Sequence, residues 1–186
     1  MPDDGTPLPQ KHILFGHAFK GQPSGQRLLK RFVAGGGCLY DLEYLVDPAG
    51  RRVAAFGYWA GYAGAAIALK CWAAQQRAEV AGPVKTYSSS SKLLADLNHE
   101  FDTISAPRPN ALVIGALGRV GTGAADLCAK MGVSTTLWDM AETATGGPFP
   151  EVLKHNIFFN CILARSGTPV FVPKTAKTAD RTLTVI

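Results

Sequence analysis

The order of hydrophobic and polar positions along the chain predicts strands that alternate with helices. Two apolar runs, 12–19 and 38–46, are typical of strands, and the segment between them has helical periodicity over about 25–34. A third strand-like run, 51–56, leads into an apolar helix predicted over about 58–77. Strands that alternate with helices indicate a parallel sheet with right-handed crossovers.

The first predicted helix is amphipathic. Leu28, Leu29, Phe32 and Val33 share its apolar face, whereas Arg31 and the neighbouring basic residues should face water. The glycines that follow should end the helix.

The second half of the chain repeats the alternation around a fully apolar strand. A helix is predicted at about 90–103, and the apolar run 111–118 ends in glycines that open another helix, 118–132. Strands at 135–139 and 155–163 follow. We therefore expect an α/β fold, a Rossmann-like parallel sheet with helices on both faces, and part of a second lobe.

A change of composition separates the two halves. The segment 78–91 combines glycine, proline and four consecutive serines, which is typical of a linker. We predict a flexible tail at 1–10, a partial first lobe at 11–85 and an incomplete second lobe at 90–186.

Composition and charge narrow the class of protein. The chain is 47% hydrophobic and 18% charged, as globular domains are, and its net charge of +5 comes from scattered lysines and arginines. Nucleic-acid binding is not expected, because phosphate-tracking proteins concentrate their positive charge. The N-terminus lacks the apolar stretch of a signal peptide, and the four cysteines form no CxxC pair. We expect a cytoplasmic protein with reduced thiols and no metal site.

One uncharged stretch raises a membrane span as an alternative. Residues 53–69 contain seventeen positions without a charge, at the lower limit for crossing a bilayer. Arginines and a lysine flank the stretch, and its interior is rich in glycine and alanine, which suits close packing between soluble elements. A buried helix is therefore predicted, with no membrane partner.

A glycine motif follows the apolar strand of the second half. Gly115, Gly118 and Gly121 are spaced to permit a sharp turn, a close approach of backbone N–H groups to a pyrophosphate, and tight helix–strand packing. Asp139 ends the next strand, where a carboxylate accepts hydrogen bonds from ribose hydroxyls and repels the extra phosphate of NADP. The motif predicts NAD(H) binding. Two alternatives stay open: Arg119 could pair with that phosphate, and the glycines could form a tight turn without a ligand.

Six runs in this order resemble the fungal NAD-dependent saccharopine dehydrogenases. The runs are GHAFKGQ at 16–22, GGGCLYDLEYL at 35–45, GRRVAAFGYWAGYAGAA at 50–66, VIGALGRVGTGA at 113–124, LWDMAETATGGPF at 137–149 and FFNCIL at 158–163. The resemblance implies two Rossmann-like lobes of the alanine dehydrogenase type, with substrate and catalytic groups in 11–85 and the dinucleotide in 90–186. It also implies oxidation of an amino-acid-derived secondary amine to an imine, with NAD as hydride acceptor, in lysine biosynthesis.

The resemblance also assigns site residues position by position. The resemblance assigns acid–base catalysis to His17, with Lys20 and Glu43 as neighbouring catalytic residues. A histidine suits this role because free histidine titrates near neutral pH. A solvated strand glutamate stays the alternative for Glu43. The implied substrate residues are Gln22, Arg52 and Phe56. The implied cofactor residues are Gly115, Leu117, Gly118, Arg119, Val120, Gly121, Asp139, Met140 and Cys161.

Departures from the family pattern leave the activity open. Family members have a longer N-terminal portion that supplies a lysine partner for the histidine, and that lysine has no counterpart here. The family also continues into further strands after 158–163, so we expect an unpaired sheet edge and self-association into a homo-oligomer. Val120 stands where some relatives have a cysteine, which argues against a redox switch with Cys161.

Two hypotheses for function follow. The first is an NAD-dependent oxidoreductase that acts on the C–N bond of an amino-acid-derived secondary amine or imine. The second is a truncated, repurposed family member that catalyses a non-redox step on a natural-product-like substrate, or binds a ligand without turnover.

Overall fold

The structure, a computed structural model, describes residues 4–164, 166–173, 176 and 182–186. The chain divides into two compact units, Met1–Phe56 and Gly57–Ile186. Each unit has its own parallel sheet.

The first unit is a single strand–helix–strand crossover followed by one short 3-10 turn. Its elements are β1 (Lys11–Leu14), α1 (Pro23–Gly35), β2 (Cys38–Asp41) and a 3-10 turn (Leu42–Tyr44). The two strands pair in parallel from Lys11 opposite Cys38 to Leu14 opposite Asp41. The strands predicted at 38–46 and 51–56 are therefore mostly wrong: the first ends at Asp41, and of the second only Arg52 forms a bridge, with Val46.

Helix α1 begins and ends where the sequence predicts, but the faces differ from the prediction. Proline in the first turn and Gly36, at a φ of 70°, mark its two ends. Phe32 is buried, as predicted, whereas Val33 is 84% exposed. Arg31, predicted to face water, is buried because its guanidinium donates to the carbonyl of Thr6 and to the carboxylate of Asp4.

The N-terminal residues explain this difference. Leu8 is buried and donates its N–H to the carbonyl of Arg31 at 3.0 Å. Added methyl groups at Gly35 and Gly37 would overlap the Leu8 backbone, so the segment lies directly on the end of α1. Within the described residues, 4–10 are thus part of the packed unit and not the frayed tail that was predicted.

The second unit is a three-stranded parallel sheet with its three longest helices on one face. Its elements are α2 (Tyr58–Gln76), α3 (Ser90–Asp102), β3 (Asn110–Ile114), α4 (Arg119–Lys130), β4 (Ser134–Trp138), α5 (Met140–Thr143), a 3-10 turn (Pro150–Lys154) and β5 (Ile157–Asn160). The strand order is β4-β3-β5. The α/β class and the parallel sheet are therefore as predicted, although β5 is shorter than the run 155–163.

Alternate side chains of β3 enter two different cores. Ala111 and Val113 pack with residues of α2, α3 and α4. Leu112 and Ile114 pack instead with Phe149, Val152, Phe171 and Leu183, which come from the 3-10 turn and irregular segments. Helices were predicted on both faces of the sheet, and for the second face this is wrong among the described residues. That face is covered mainly by side chains from irregular segments, such as Phe149 and Phe171.

The outer edge of β5 is not bare. Val185 bridges Ile157 in parallel, and the N–H of Phe158 donates to the carbonyl of Val185 at 2.9 Å. The predicted unpaired edge is therefore wrong at these residues, and it no longer supports self-association, which stays a prediction.

The division between the units lies before α2 and not at the predicted linker, 78–91. Helix α2 packs on α4, and its side chains Ala65, Leu69 and Ala73 are fully buried in the same core as the sheet. This buried helix is confirmed close to its predicted limits. None of the helices in the described part of the chain is long and apolar enough to cross a membrane.

Candidate functional site

The glycine turn between β3 and α4 has the tight backbone that its sequence predicts. Gly115 has a φ of +81°, and its N–H donates to the carbonyl of Trp138 in the neighbouring strand at 2.9 Å. A methyl group at Gly121 would lie 2.1 Å from the carbonyl oxygen of Gly115, so only glycine allows α4 to approach the strand this closely.

Helix α4 begins at this turn with its N–H groups available. Gly118 is the N-cap residue, and Arg119, Val120 and Gly121 form the first turn. First-turn N–H groups have no acceptor within their own helix and carry the positive end of the helix dipole. The first turn can therefore hold a phosphate through its backbone, as a dinucleotide pyrophosphate requires.

The carboxylate of Asp139 lies directly beside the glycine turn. Its Oδ2 accepts the N–H of Leu117 at 2.9 Å, and its Oδ1 accepts the N–H of Met140 at 2.9 Å. The same side chain also accepts the backbone N–H of Glu142 in a capping box. An ionised carboxylate has about four acceptor positions, so about one remains for a further donor such as a ribose hydroxyl.

The other predicted cofactor residues surround the turn in different ways. Leu117 and Met140 are more than 80% exposed, so their side chains are open to a ligand at the turn. Arg119 is exposed, and its side-chain stem lies against Gly57, where an added methyl group would be 2.3 Å from its Cβ. The carbonyl oxygen of Cys161 would be 2.9 Å from a methyl group at Gly115, which places the end of β5 against the turn.

The predicted acid–base residues of the first unit form one hydrogen-bonded cluster. Glu43 accepts from His17 Nδ1 at 3.0 Å through Oε2 and from Lys20 Nζ at 2.5 Å through Oε1. The Glu43 side chain is 11% exposed, whereas His17 and Lys20 are about half exposed. Glu43 is therefore not the solvated strand residue that was the alternative. It bridges the other two.

Electrostatics fix the hydrogen positions in this cluster. The hydrogen bond from Lys20, opposed by partial burial and helped by His17, holds the pKa of Glu43 below its ordinary range. Glu43 is thus ionised at neutral pH and can only accept, so Nδ1 of His17 carries the hydrogen between them. In the neutral ring, Nε2 is then the nitrogen that can take up a proton.

The backbone presents His17 at the end of β1 in an unusual conformation. His17 has a φ of +48°, in the left-handed region that non-glycine residues rarely adopt. Its ring stacks on Phe15, which in turn contacts Phe56 with a centroid separation of 4.5 Å. Of the predicted substrate residues, Phe56 therefore lies in the same aromatic group as His17.

The remaining two predicted substrate residues are separate from this cluster. Gln22 caps α1 with its backbone, and its exposed side chain makes no capping bond. Arg52 is exposed on the short hairpin opposite Val46. In the parts of the chain described, no hydrogen bond or ion pair joins either side chain to Glu43.

Sequence reasoning missed Asp41. Its Oδ1 accepts the N–H of Gly16 at 3.1 Å and the N–H of Glu43 at 3.0 Å. The signal was present, since an aspartate two residues before Glu43, at the end of a strand, suits an N-cap position. Among the described residues, no cluster of three or more histidine, cysteine, aspartate or glutamate side chains is arranged so that it could hold a metal ion.

Comparisons with known proteins agree with the motifs. No family model matches the chain. The L-lysine-forming, NAD(+)-dependent saccharopine dehydrogenase of Yarrowia lipolytica is 43% identical over 92% of this chain and 49% of the relative. The proteins of the same description from Emericella nidulans and Candida glabrata are 43% and 44% identical, over 100% and 87% of this chain. The chain spans about half the length of the curated relatives it matches, at 52% and 46% for these two. The predicted resemblance is confirmed.

Proposed function

We propose, from the chain's similarity to the fungal NAD-dependent saccharopine dehydrogenases, that it is an oxidoreductase domain that binds NAD(H) and acts on the C–N bond of an amino-acid-derived secondary amine. The relatives are NAD(+)-dependent and form L-lysine. Because the chain spans about half of each relative, its own activity and substrate are part of the proposal.

The observation that carries the proposal is the position of Asp139. Its two oxygens already hold the backbone of Leu117 and of Met140, so the carboxylate is fixed in place at the edge of the glycine turn. The remaining acceptor position suits a hydroxyl of an adenosine ribose, and the negative charge disfavours a 2′-phosphate. The residues present therefore fit NAD(H) better than NADP(H).

The proton-transfer part of the reaction falls to His17 in this proposal. When bound, NAD(+) would accept the hydride that leaves the carbon next to the substrate nitrogen. Nε2 of His17 would take the proton from that nitrogen and later assist the addition of water to the imine. Glu43 would keep the ring in the required tautomer, and it would be held ionised by Lys20.

The substrate would be an amino-acid derivative with carboxylate groups. Lys20 and Arg52 are exposed cations of the first unit that can meet such groups, Arg52 with a planar fork that matches a carboxylate. Phe56 is 70% exposed and offers an apolar contact for an aliphatic chain. Gln22 can donate from its exposed amide.

A titration with NADH tests the cofactor part of the proposal. Asp139→Ala should weaken NADH binding at least about tenfold, since hydrogen bonds to a charged group contribute about 1.5–3 kcal/mol. Asp102→Ala is the matched control, because Asp102 is an exposed carboxylate in the same unit at the end of α3. Binding is followed by energy transfer from tryptophan to NADH, and NADPH is titrated in parallel.

Two outcomes decide the assignment. Weaker NADH binding by Asp139→Ala, with the Asp102→Ala control unchanged, supports the ribose contact. If Asp139→Ala binds NADH as the wild type does and Arg119→Ala no longer binds it, the ribose assignment is wrong and a phosphate contact dominates.

A further inference from the structure

One carboxylate oxygen joins the two segments that carry the acid–base cluster. Asp41 is the last residue of β2, and its Oδ1 accepts N–H groups from Gly16 at 3.1 Å and from Glu43 at 3.0 Å. Gly16 belongs to the segment after β1, and Glu43 to the 3-10 turn after β2. The parallel register places Leu14 opposite Asp41, which brings these two strand ends together.

The side chains of these segments meet at the Glu43–His17 hydrogen bond. His17 directly follows Gly16, and its ring nitrogen is 3.0 Å from Glu43. With His17 about half exposed, this ion pair alone is a weak restraint, because solvent and side-chain freedom offset much of its attraction. The two N–H bonds to the Asp41 carboxylate are charge-assisted and hold the backbone itself.

Local crowding shows how closely this carboxylate approaches the first segment. A methyl group at Gly16 would lie 3.2 Å from Asp41 Oδ2 and 3.0 Å from a Leu39 methyl carbon. Asp41 Oδ2 is itself buried and has no hydrogen-bond partner within the described residues. The adjacent His17 is in the left-handed region, a conformation that persists when surrounding contacts impose it.

From these contacts we propose that Asp41 is a positioning residue, which sets the separation of His17 and Glu43 by holding the backbone of both segments. Asp41 does not contact the reacting atoms in this scheme. Its bond to Glu43 alone would be an ordinary cap of the 3-10 turn, but the bond to Gly16 crosses 25 residues of sequence and has no capping role. The inference rests on the proposed role of His17, and its first test does not depend on turnover.

The first test is an NMR titration of the whole chain. In the wild type, the amide protons of Gly16 and Glu43 should exchange slowly with solvent, because both donate to the same carboxylate. In Asp41→Ala this protection should vanish, and the Glu43 carboxyl carbon should titrate closer to an ordinary glutamate, since its pairing with Lys20 and His17 is loosened. Asp41→Asn keeps an acceptor oxygen and should retain the low Glu43 midpoint.

Asp47 provides a matched control in the same unit. Its Oδ1 also accepts two backbone N–H groups, those of Ala49 and Arg51, each at 2.9 Å. Asp47→Ala should therefore leave the Glu43 midpoint unchanged. An unchanged Glu43 midpoint in a folded Asp41→Ala variant would overturn the inference, as would fast solvent exchange of the Gly16 and Glu43 amide protons in the wild type, a measurement that needs no variant.

The second test is steady-state turnover, and it separates the two proposals. With the pair released, kcat should fall by about 10²-fold while the KM for NADH stays constant, because a misplaced acid–base group costs about that much. The NMR data could show that the His17–Glu43 pair is loosened in Asp41→Ala while turnover equals that of the wild type. In that case the proposed role of His17 is wrong, but Asp41 still positions the pair. If the Glu43 midpoint does not move, the positioning fails whatever the turnover.

Discussion

The contact between α2 and the first turn of α4 makes a paired substitution informative. An added methyl group at Gly61 would lie 1.8 Å from the carbonyl oxygen of Val120, whereas one at Gly64 would meet no atom within 4 Å. Both glycines lie in α2. Gly61→Ala should therefore separate the helices, and Gly64→Ala should change only the helix's own stability.

The size of the difference follows from these distances. Alanine is favoured over glycine in a helix by about 1 kcal/mol, so Gly64→Ala should stabilise the protein by about 0.5–1 kcal/mol. Non-bonded carbon and oxygen atoms stay about 3.3 Å apart, so Gly61→Ala must shift the helices by about 1.5 Å. Both variants gain the helix propensity of alanine, so the difference between them is the cost of overpacking at Gly61, about 1–3 kcal/mol.

Urea unfolding followed by circular dichroism measures this difference directly. The two variants should also differ by about 2–12 °C in Tm, given the size of the chain. Because Val120 lies in the first turn of α4, Gly61→Ala should also weaken NADH binding, while Gly64→Ala should leave it intact. Equal stability of the two variants would mean that α2 and α4 do not pack through Gly61.

Three further predictions concern the acid–base cluster. His17→Ala should lower turnover by about 10²–10⁴-fold with little change in Tm, because general acid–base groups contribute that much. The control, His99→Ala on an exposed face of α3, should not change turnover. Equal turnover of the two variants would mean that the acid–base group is not His17. The pKa of Glu43 in the folded chain is lowered from its ordinary 4.5, so as pH falls the Glu43 carboxylate is protonated first in the unfolded chain. The stability that its pairing contributes is therefore complete above about pH 4.5. This stability is lost as pH falls through the lower pKa of Glu43 in the folded chain. Lys20→Met removes the largest cause of the shift and should move the Glu43 midpoint upwards in a carbon-13 titration, and an unmoved midpoint would contradict the pairing.

The sequence predicted well those elements whose determinants are local. The glycine turn needs a positive φ at Gly115 and space at Gly121, and both requirements are readable from residue type and spacing. The position of Asp139 beside the turn follows because neighbouring parallel strands end at the same edge of a sheet. Whether these residues bind a dinucleotide stays a prediction.

Features that depend on distant partners were not predictable in this way. The helical periodicity predicted that the Arg31 side chain is exposed to solvent. The pattern does not indicate that Asp4 and Thr6 will cover that side of α1. In the same way, the apolar run around Phe158 gave no sign that Val185 would pair with its edge. Such contacts join residues more than 20 positions apart, where pattern carries little information.

The two candidate sites should therefore respond differently to substitution. The phosphate-binding part of the candidate dinucleotide site is formed mainly by backbone groups of one continuous strand–turn–helix segment, so an added side chain there would disrupt it by occupying space, as at Gly121. The acid–base cluster depends on side-chain contacts across 26 residues between His17 and Glu43, held by single carboxylates. Loss of one carboxylate can thus abolish acid–base chemistry while the fold and the backbone phosphate site remain intact. Family resemblance alone accordingly supports NAD binding more strongly than catalysis, and the catalytic part of the proposal depends on measurements at Glu43 and Asp41.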